Sequence, residues 1–377
     1  MCGIIGYTGY TNARGKLIKG LKTLEYRGYD SAGIAVFNDT LNEVIVAKCE
    51  GRVERLDEKS KDIKGNTGIG HTRWATHGGV SDSNSHPHKF GNVTLVHNGI
   101  IENYASIKNQ LGIAGKLKSQ TDSEVVAALI DNYYHIGSDP SEAIIKAVKE
   151  IKGTFALGIM FDDIPDVIYA VRNVSPIVCC VNDDGAYIAS DITAIGEYSK
   201  EYFVLPELTI AEISKKGIEV RDFQDNKVDV KMLELDWDIN NSGKKHYPFY
   251  MEKEISEQPE VIEKTIRLRI KDGLPDFSAD GVDDSIFTEC ENITVIACGT
   301  AMHAGLIGKH LIEKTCAVPV NVYMASEYMY CDPIVSDKTL VICVSQSGET
   351  IDTLEALKYA KSKGAKTLSI VNVKGSS

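Results

Sequence analysis

The amino-acid sequence predicts an α/β protein made of two successive units with different sheets, the first antiparallel and the second parallel. Two patterns carry that expectation. The amino-terminal part runs strands, then two helices, then more strands, which describes two antiparallel sheets enclosed by helices. The final segment alternates short β-branched strands with helical patterns, which describes a parallel sheet with right-handed crossovers. The length, 377 residues, also exceeds what one core usually serves.

Taken in order, the small and apolar run Gly3 to Gly9 suits a buried strand. Leu17, Ile18, Leu21 and Leu24 recur at helical spacing, and Gly28 ends that helix. Ala32 to Phe37 reads as a strand, Asn38-Asp39 as a turn and Glu43 to Cys49 as the hairpin partner. A polar helix at 52–60 precedes a strand at 67–72. A long loop, 74–91, follows, and structureless stretches of that length in folded units are usually functional. A strand at 93–96 leads into His97-Asn98-Gly99, a sequence that by itself marks a turn. Two amphipathic helices, 122–134 and 141–151, come next, with Thr121 or Asp122 as cap of the first. Short strands are expected at 155–161, 167–171, 177–181, 186–189, 202–205 and 209–213.

The first domain is expected to end near 236–241, where Asn-Ser-Gly-Lys-Lys reads as a linker. Met251 to Ile270 reads as a charged helix that Pro259 would kink or restart. The parallel unit has strands at 293–297, 320–323, 340–344 and 367–371, with helices at 301–315 and 352–363. In such sheets ligands bind beyond the carboxyl ends of strands. Two of those ends carry Cys298-Gly299-Thr300 and Ser345-Gln346-Ser347-Gly348-Glu349-Thr350. Hydroxyls and amides at a helix start can hold phosphate without a cation.

Hydrophobic content of 43% and charged content of 25% are those of a folded soluble protein. The net charge of −12 argues against nucleic acid and anionic membrane as partners. No apolar run approaches a bilayer span and no signal pattern opens the chain, so a cytoplasmic location is expected. The nine cysteines follow no regular spacing, and most are read as small buried hydrophobes of a reducing compartment. No C-x-x-C pair is present, and no cofactor is expected.

Chemistry concentrates around Cys2. Loss of Met1 would put an α-amino group, titrating at about 7.7–8.0, on the residue that bears the thiol, joining nucleophile and proton acceptor in one residue. The long loop carries His71-Thr72-Arg73-Trp74-Ala75-Thr76-His77-Gly78, with His86-Pro87-His88 and His97-Asn98-Gly99 following. A metal site is disfavoured: the spacing is wrong for one helical face, no carboxylate accompanies the histidines, and Arg73 would stand beside the ion. Acyl transfer fits better. Arg73 offers a fork for a substrate carboxylate, Asp122 a charge for a substrate amine, and Asn98 with the Gly99 amide could donate to an oxyanion.

With Cys2-Gly3-Ile4, the run Leu24 to Ser31, His71 to Gly78, His86-Pro87-His88, His97 to Asn103 and Thr121-Asp122, the chain resembles the glutaminase domain of the glutamine–fructose-6-phosphate aminotransferases, the glucosamine-6-phosphate synthases. The tail resembles their sugar isomerase (SIS) domain through Ala297 to Thr300, Ala325-Ser326-Glu327 and Ser345 to Thr350. Met251 to Ile255 and Glu257-Gln258-Pro259 match between the two. The resemblance implies an N-terminal-nucleophile αββα sandwich at 2–240, a linker and helix at 241–285, and a SIS domain at 286–377 that is incomplete. It further implies that Cys2 attacks the glutamine amide with its own amine as base. Asn98 and Gly99 then serve the oxyanion, Arg73 and Asp122 hold the amino-acid head, and Trp74, Thr76 and His77 line a closing loop in which Trp74 gates ammonia. Cys298, Gly299, Thr300, Ser345, Gln346, Ser347 and Thr350 match residues that hold the phosphate of fructose 6-phosphate. A homodimer is implied once the isomerase part is complete.

Two departures stand out. Ala301 takes the place of the serine usual after Cys-Gly-Thr. The sequence also stops at Gly375-Ser376-Ser377, ahead of the second isomerase domain whose lysine, glutamate and histidine open and isomerise the sugar in the family. Three readings follow: a piece of a synthase, a stand-alone glutaminase, or a non-catalytic partner that binds synthase subunits or sugar phosphate. The related glutaminases of amidophosphoribosyltransferase and asparagine synthetase share the Cys2 logic, but their partner domains would show a phosphoribosyltransferase or ATP-binding loop.

Overall fold

The computed structural model describes residues 2–75, 78–137, 139–235 and 247–373. The chain divides into two units, Met1–Ile239 and Asn240–Ser377. The expected linker and the boundary near 236–241 lie outside the described residues, as do Thr76 and His77.

The first unit opens with β1 (Gly3–Gly9), α1 (Ala13–Leu24), β2 (Ser31–Asn38), β3 (Glu43–Glu50), α2 (Val53–Lys59) and β4 (Thr67–Arg73). It continues through β5 (His88–Phe90), β6 (Val93–Ile101), α3 (Tyr104–Leu111), α4 (Asp122–His135) and α5 (Pro140–Glu150). Strands β7 (Gly153–Phe161), β8 (Ile164–Asn173), β9 (Val178–Asn182), β10 (Gly185–Ala189), β11 (Glu201–Val204), β12 (Thr209–Ser214), β13 (Gly217–Asp222) and β14 (Leu233–Glu234) complete it. They form an eight-stranded sheet, β14-β11-β9-β10-β1-β4-β2-β3, and a six-stranded sheet, β13-β12-β8-β7-β6-β5.

Period-two alternation explains how these sheets stack. In β1, Ile4 packs between the two sheets with Ile69, Val96, Ala156 and Ile188. Its neighbours Ile5 and Tyr7 face the other way, onto Leu17, Leu21 and Leu24 of α1. In β6, Val93 and Leu95 face Val126, Leu129 and Ile144 of α4 and α5. Three cores in succession therefore make a helix–sheet–sheet–helix sandwich. The helices begin where side chains satisfy their first amides: Asn12 accepts from Arg14 N at 3.0 Å, Thr121 accepts from Glu124 N, and Asp139 precedes Pro140 at the first turn.

Several expectations need correction. The loop 74–91 is interrupted by β5, which pairs with β6. Asn98-Gly99 is no turn, because β6 runs on to Ile101 and both residues pair with β7. Helix α3 and strands β13 and β14 escaped the periodicity reading because they are short or polar. Only Cys49, Cys179, Cys180 and Cys343 of the nine cysteines are buried, so most are not core residues.

In the second unit α6 (Tyr250–Arg267) passes through Pro259 as one helix rather than restarting there. A small hairpin, β15 (Ile270–Lys271) and β16 (Leu274–Pro275), and a short α7 (Ser285–Thr288) follow. Then come β17 (Asn292–Ala297), α8 (Gly299–Cys316), β18 (Val320–Met324), α9 (Ala325–Tyr328), β19 (Thr339–Ser345), α10 (Ile351–Ser362) and β20 (Lys366–Val371). The sheet order is β18-β17-β19-β20, with every pair parallel. Strand order reverses between β17 and β19, and ligands of open parallel sheets bind at such a point. Edge strand β20 leaves Ile370 and Val371 exposed.

Candidate active site

Gly3 pairs with Thr72 in the β1–β4 ladder, which sets Cys2 beside Arg73 and Trp74. The Trp74 amide donates to Cys2 Sγ at 3.2 Å. From the facing sheet, Asn98 Nδ2 donates to the Cys2 carbonyl at 3.1 Å. These residues share a face for a simple reason. Ile4, Ile69 and Val96 point between the sheets, and Cys2, His71, Arg73 and Asn98 lie two or four residues away along the same strands.

Gly99 follows with φ +134°, and a Cβ there would stand 2.0 Å from the Thr154 carbonyl oxygen. Only glycine fits this position. Asp122, the first residue of α4, is buried and accepts from Ile101 N at 2.8 Å and from the Ser123 hydroxyl at 3.3 Å. Arg73 is buried as well and donates to the carbonyls of Gly79 at 3.2 Å and Gly78 at 3.4 Å. Cys2, Arg73, Trp74, Gly99 and Asp122 line one narrow cleft, closed on its other sides by His86, His97, Thr121 and Ser123. The Trp74 ring is exposed, edge-on to Tyr29 with centroids 5.7 Å apart.

Burial pushes the Cys2 thiol above its ordinary pKa, while the Trp74 amide and the charges of Arg73 and Arg27 act against that. A thiol held in its neutral form needs a base at the moment of attack. Burial lowers Arg73 too, and the charges of Cys2, Asp30 and Asp122 offset it. Imidazoles kept neutral by burial run from the cleft wall inward: His86 and, beyond it, His88 lie well below the ordinary value, and His71 is pulled down to about 3. Their rings meet edge to face, with centroids 4.1 Å apart for His71 and His86 and 4.6 Å for His86 and His88. Among the described residues, no three His, Cys, Asp or Glu side chains converge as a metal would require.

Residue-level reasoning passed over the framework of this cleft. Arg27 and Asp191 form a buried ion pair at 2.6 Å that Tyr26 joins through a 3.0 Å hydrogen bond. Asp30 accepts the Ala75 amide at 2.9 Å and so anchors the segment after β4. Gly28 has room for no side chain, because a Cβ would meet the Arg73 backbone at 2.8 Å. The signal available was the run Leu24 to Ser31, whose charged and glycine residues sit between a helix and a strand.

In the second unit, Ala297 of β17 pairs with Val344 of β19, so Cys298-Gly299-Thr300 and Ser345 to Thr350 emerge side by side. Ser345 Oγ accepts the Gly348 amide at 3.0 Å, Ser347 Oγ accepts the Glu349 amide at 3.1 Å, and the Ser345 and Thr350 hydroxyls lie 3.4 Å apart. Thr353 comes within 3.9 Å of Cys298 Sγ, linking the starts of α10 and α8. Two helix amino termini thus converge with hydroxyls, an arrangement that suits an anion. Gln346, Gly299 and Thr300 are exposed there.

Comparison with known proteins places a known domain type in each unit. The family model for a glutamine amidotransferase domain matches residues 71–197, and the SIS domain model matches 286–377. The Bacillus subtilis glutamine phosphoribosylpyrophosphate amidotransferase shares the fold, with a TM-score of 0.53 at 18% identity over 98% of this chain and 81% of that one. The chain therefore combines a glutamine amidotransferase domain of the N-terminal-nucleophile fold with a SIS domain. Along its entire length it is similar to the glutamine–fructose-6-phosphate aminotransferases (isomerizing). Identity is 43% to that of Clostridium acetobutylicum and 42% to that of Thermus thermophilus, with 100% of this chain and 62% of each relative covered.

Proposed function

We propose that the chain takes part in the amination of fructose 6-phosphate. Cys2, freed of Met1, cleaves the side-chain amide of glutamine, and the ammonia released converts the sugar phosphate to glucosamine 6-phosphate, leaving glutamate. The product opens hexosamine and UDP-N-acetylglucosamine synthesis. The observation that carries this reading is the meeting of Cys2, Arg73, Gly99 and Asp122 in one cleft, with Asn98 bonded to the Cys2 carbonyl at its edge.

The α-amine of Cys2 accepts the thiol proton as sulfur attacks the amide carbon. Asn98 Nδ2 and the Gly99 amide take the developing oxyanion, a contribution worth about 10²–10³ in rate per donor. Arg73 grips the substrate α-carboxylate and Asp122 its ammonium group, while Trp74, Thr76 and His77 close over them. Collapse of the tetrahedral species expels ammonia and leaves a thioester that water hydrolyses. Thr300, Ser345, Gln346, Ser347 and Thr350, with the amides of the Cys298-Gly299 turn, bind the sugar phosphate. The domains are assigned as 2–240, 241–285 and 286–377, acting in the cytoplasm, and within a homodimer once the isomerase part is complete.

Glutamate release measured with and without fructose 6-phosphate, on protein whose intact mass proves loss of Met1, tests the proposal. Cys2→Ala should abolish release, by at least about 10⁴-fold. Turnover surviving in that variant would refute the mechanism.

A further inference from the structure

The orientation of a carboxamide is decided by its neighbours, since its oxygen and nitrogen differ only in what they can bond. Asn98 Oδ1 lies 3.0 Å from His71 Nε2, and the same His71 nitrogen lies 3.1 Å from the backbone carbonyl oxygen of His97. A backbone carbonyl can only accept. His71 Nε2 must therefore carry a hydrogen, and the Asn98 atom facing it must be the oxygen. It follows that Asn98 turns its NH₂ the other way, toward Cys2, where one hydrogen already meets the Cys2 carbonyl at 3.1 Å. The second hydrogen is left for the oxyanion. His71 is fully buried, and its ring is wedged against His86, whose Nδ1 lies 3.2 Å from both His71 nitrogens and can donate to Nδ1 once Nε2 carries the hydrogen, so neither ring nor amide can turn without stranding a polar atom.

From this chain of donors we infer that His71 is a positioning residue, held as the Nε2–H tautomer, that locks the Asn98 carboxamide with its donor face toward the nucleophile. The inference rests on the glutaminase reading of Cys2 given above. His71 touches no reacting atom and acts only through Asn98. Without it, only the Cys2 carbonyl opposes a flip that would present Oδ1 to the oxyanion and turn a stabilising contact into a repulsive one. Orientation errors of this kind reduce turnover rather than substrate binding, because the oxyanion exists only along the reaction path.

The test combines steady-state kinetics with ¹⁵N-histidine NMR on the full chain. In the wild type at neutral pH, His71 should show a pyrrole-type Nε2 and a pyridine-type Nδ1. His71→Leu should lower kcat for glutamine hydrolysis by about 30-fold, less than the loss of a whole oxyanion donor because Asn98 itself remains, with KM within about threefold. His71→Gln, which keeps an N–H at similar reach, should recover most of the loss. An Nδ1–H tautomer, or a His71→Leu enzyme within threefold of wild-type kcat, would overturn the inference. Should His71→Leu fail to fold, the tautomer and the His71→Gln kinetics decide. Should the wild type release no glutamate, the glutaminase reading fails, while the tautomer still reports whether the Asn98 lock exists.

Discussion

The two candidate sites reach their chemistry by opposite routes. At the Cys2 cleft, Arg73, Asn98 and Asp122 are each more than nine-tenths buried and come from three elements of a sandwich closed on both faces. At the strand ends of the parallel sheet, Gly299, Thr300 and Gln346 are exposed, and the ligand-facing groups are hydroxyls and backbone amides at two helix starts. The difference suits the roles proposed for the two sites. A nucleophile and an oxyanion gain most from fixed donors in a dry environment, whereas a phosphate can be held in contact with water by helix amino termini. Burial makes the first site sensitive to its surroundings, and exposure makes the second tolerant.

Acid should separate the two units most sharply. His71, His86 and His88 have depressed pKa values in the fold, while in the unfolded chain they titrate near 6.5. The stability they contribute is complete above about pH 6.5 and is lost as the pH falls below it, because only the unfolded chain then takes up protons. At about pH 5.5 all three favour the unfolded chain, and their effects act together against the modest stability of a typical domain. In the second unit the described histidines, His303 and His310, are exposed. Hydrogen exchange between pH 7.5 and 5.5 should therefore show loss of protection in β1, β4 and β6 but not in β17 and β19. Equal loss in both units would break the contrast.

Gly99→Ala sharpens it from the side of packing. The left-handed φ and the 2.0 Å approach to Thr154 should cost the first unit about 3 kcal/mol, read as a lowered first transition in calorimetry. Ser345→Ala should act on ligand rather than fold. Losing the hydroxyl that accepts the Gly348 amide should weaken fructose 6-phosphate binding about fivefold, about 1 kcal/mol, by isothermal titration. The smallest change expected is a gain: Ala301→Ser, in the first turn of α8, should tighten the same binding by about twofold to fivefold. No effect of either substitution on fructose 6-phosphate binding would move the phosphate away from these turns.

Much of the site was readable along the chain. Cys2, Arg73, Asn98, Gly99 and Asp122 announce themselves by type and order, and the paired turns after β17 and β19 by their hydroxyls. The framework was harder to see. Arg27 meets Asp191 across 164 positions, a pairing that no local pattern reports. Strand β6 was cut short at Val96 because apolar alternation stops where site residues begin, although the ladder with β7 continues. The histidines between positions 71 and 97 were weighed as a metal site and set aside, and their place in a buried neutral layer needed the packing of β5 against β6 to become visible.

By itself the sequence determined which side chains share a face. A period of two along β1, β4 and β6 commits Cys2, His71, Arg73 and Asn98 to the side of Ile4, Ile69 and Val96, since alternation is a local property of extended backbone. Only the tertiary structure decided that these faces oppose each other in the register that sets Asn98 3.1 Å from Cys2, 96 residues away. Register between separate sheets is settled by how three cores fill space together, and no stretch of chain encodes that alone.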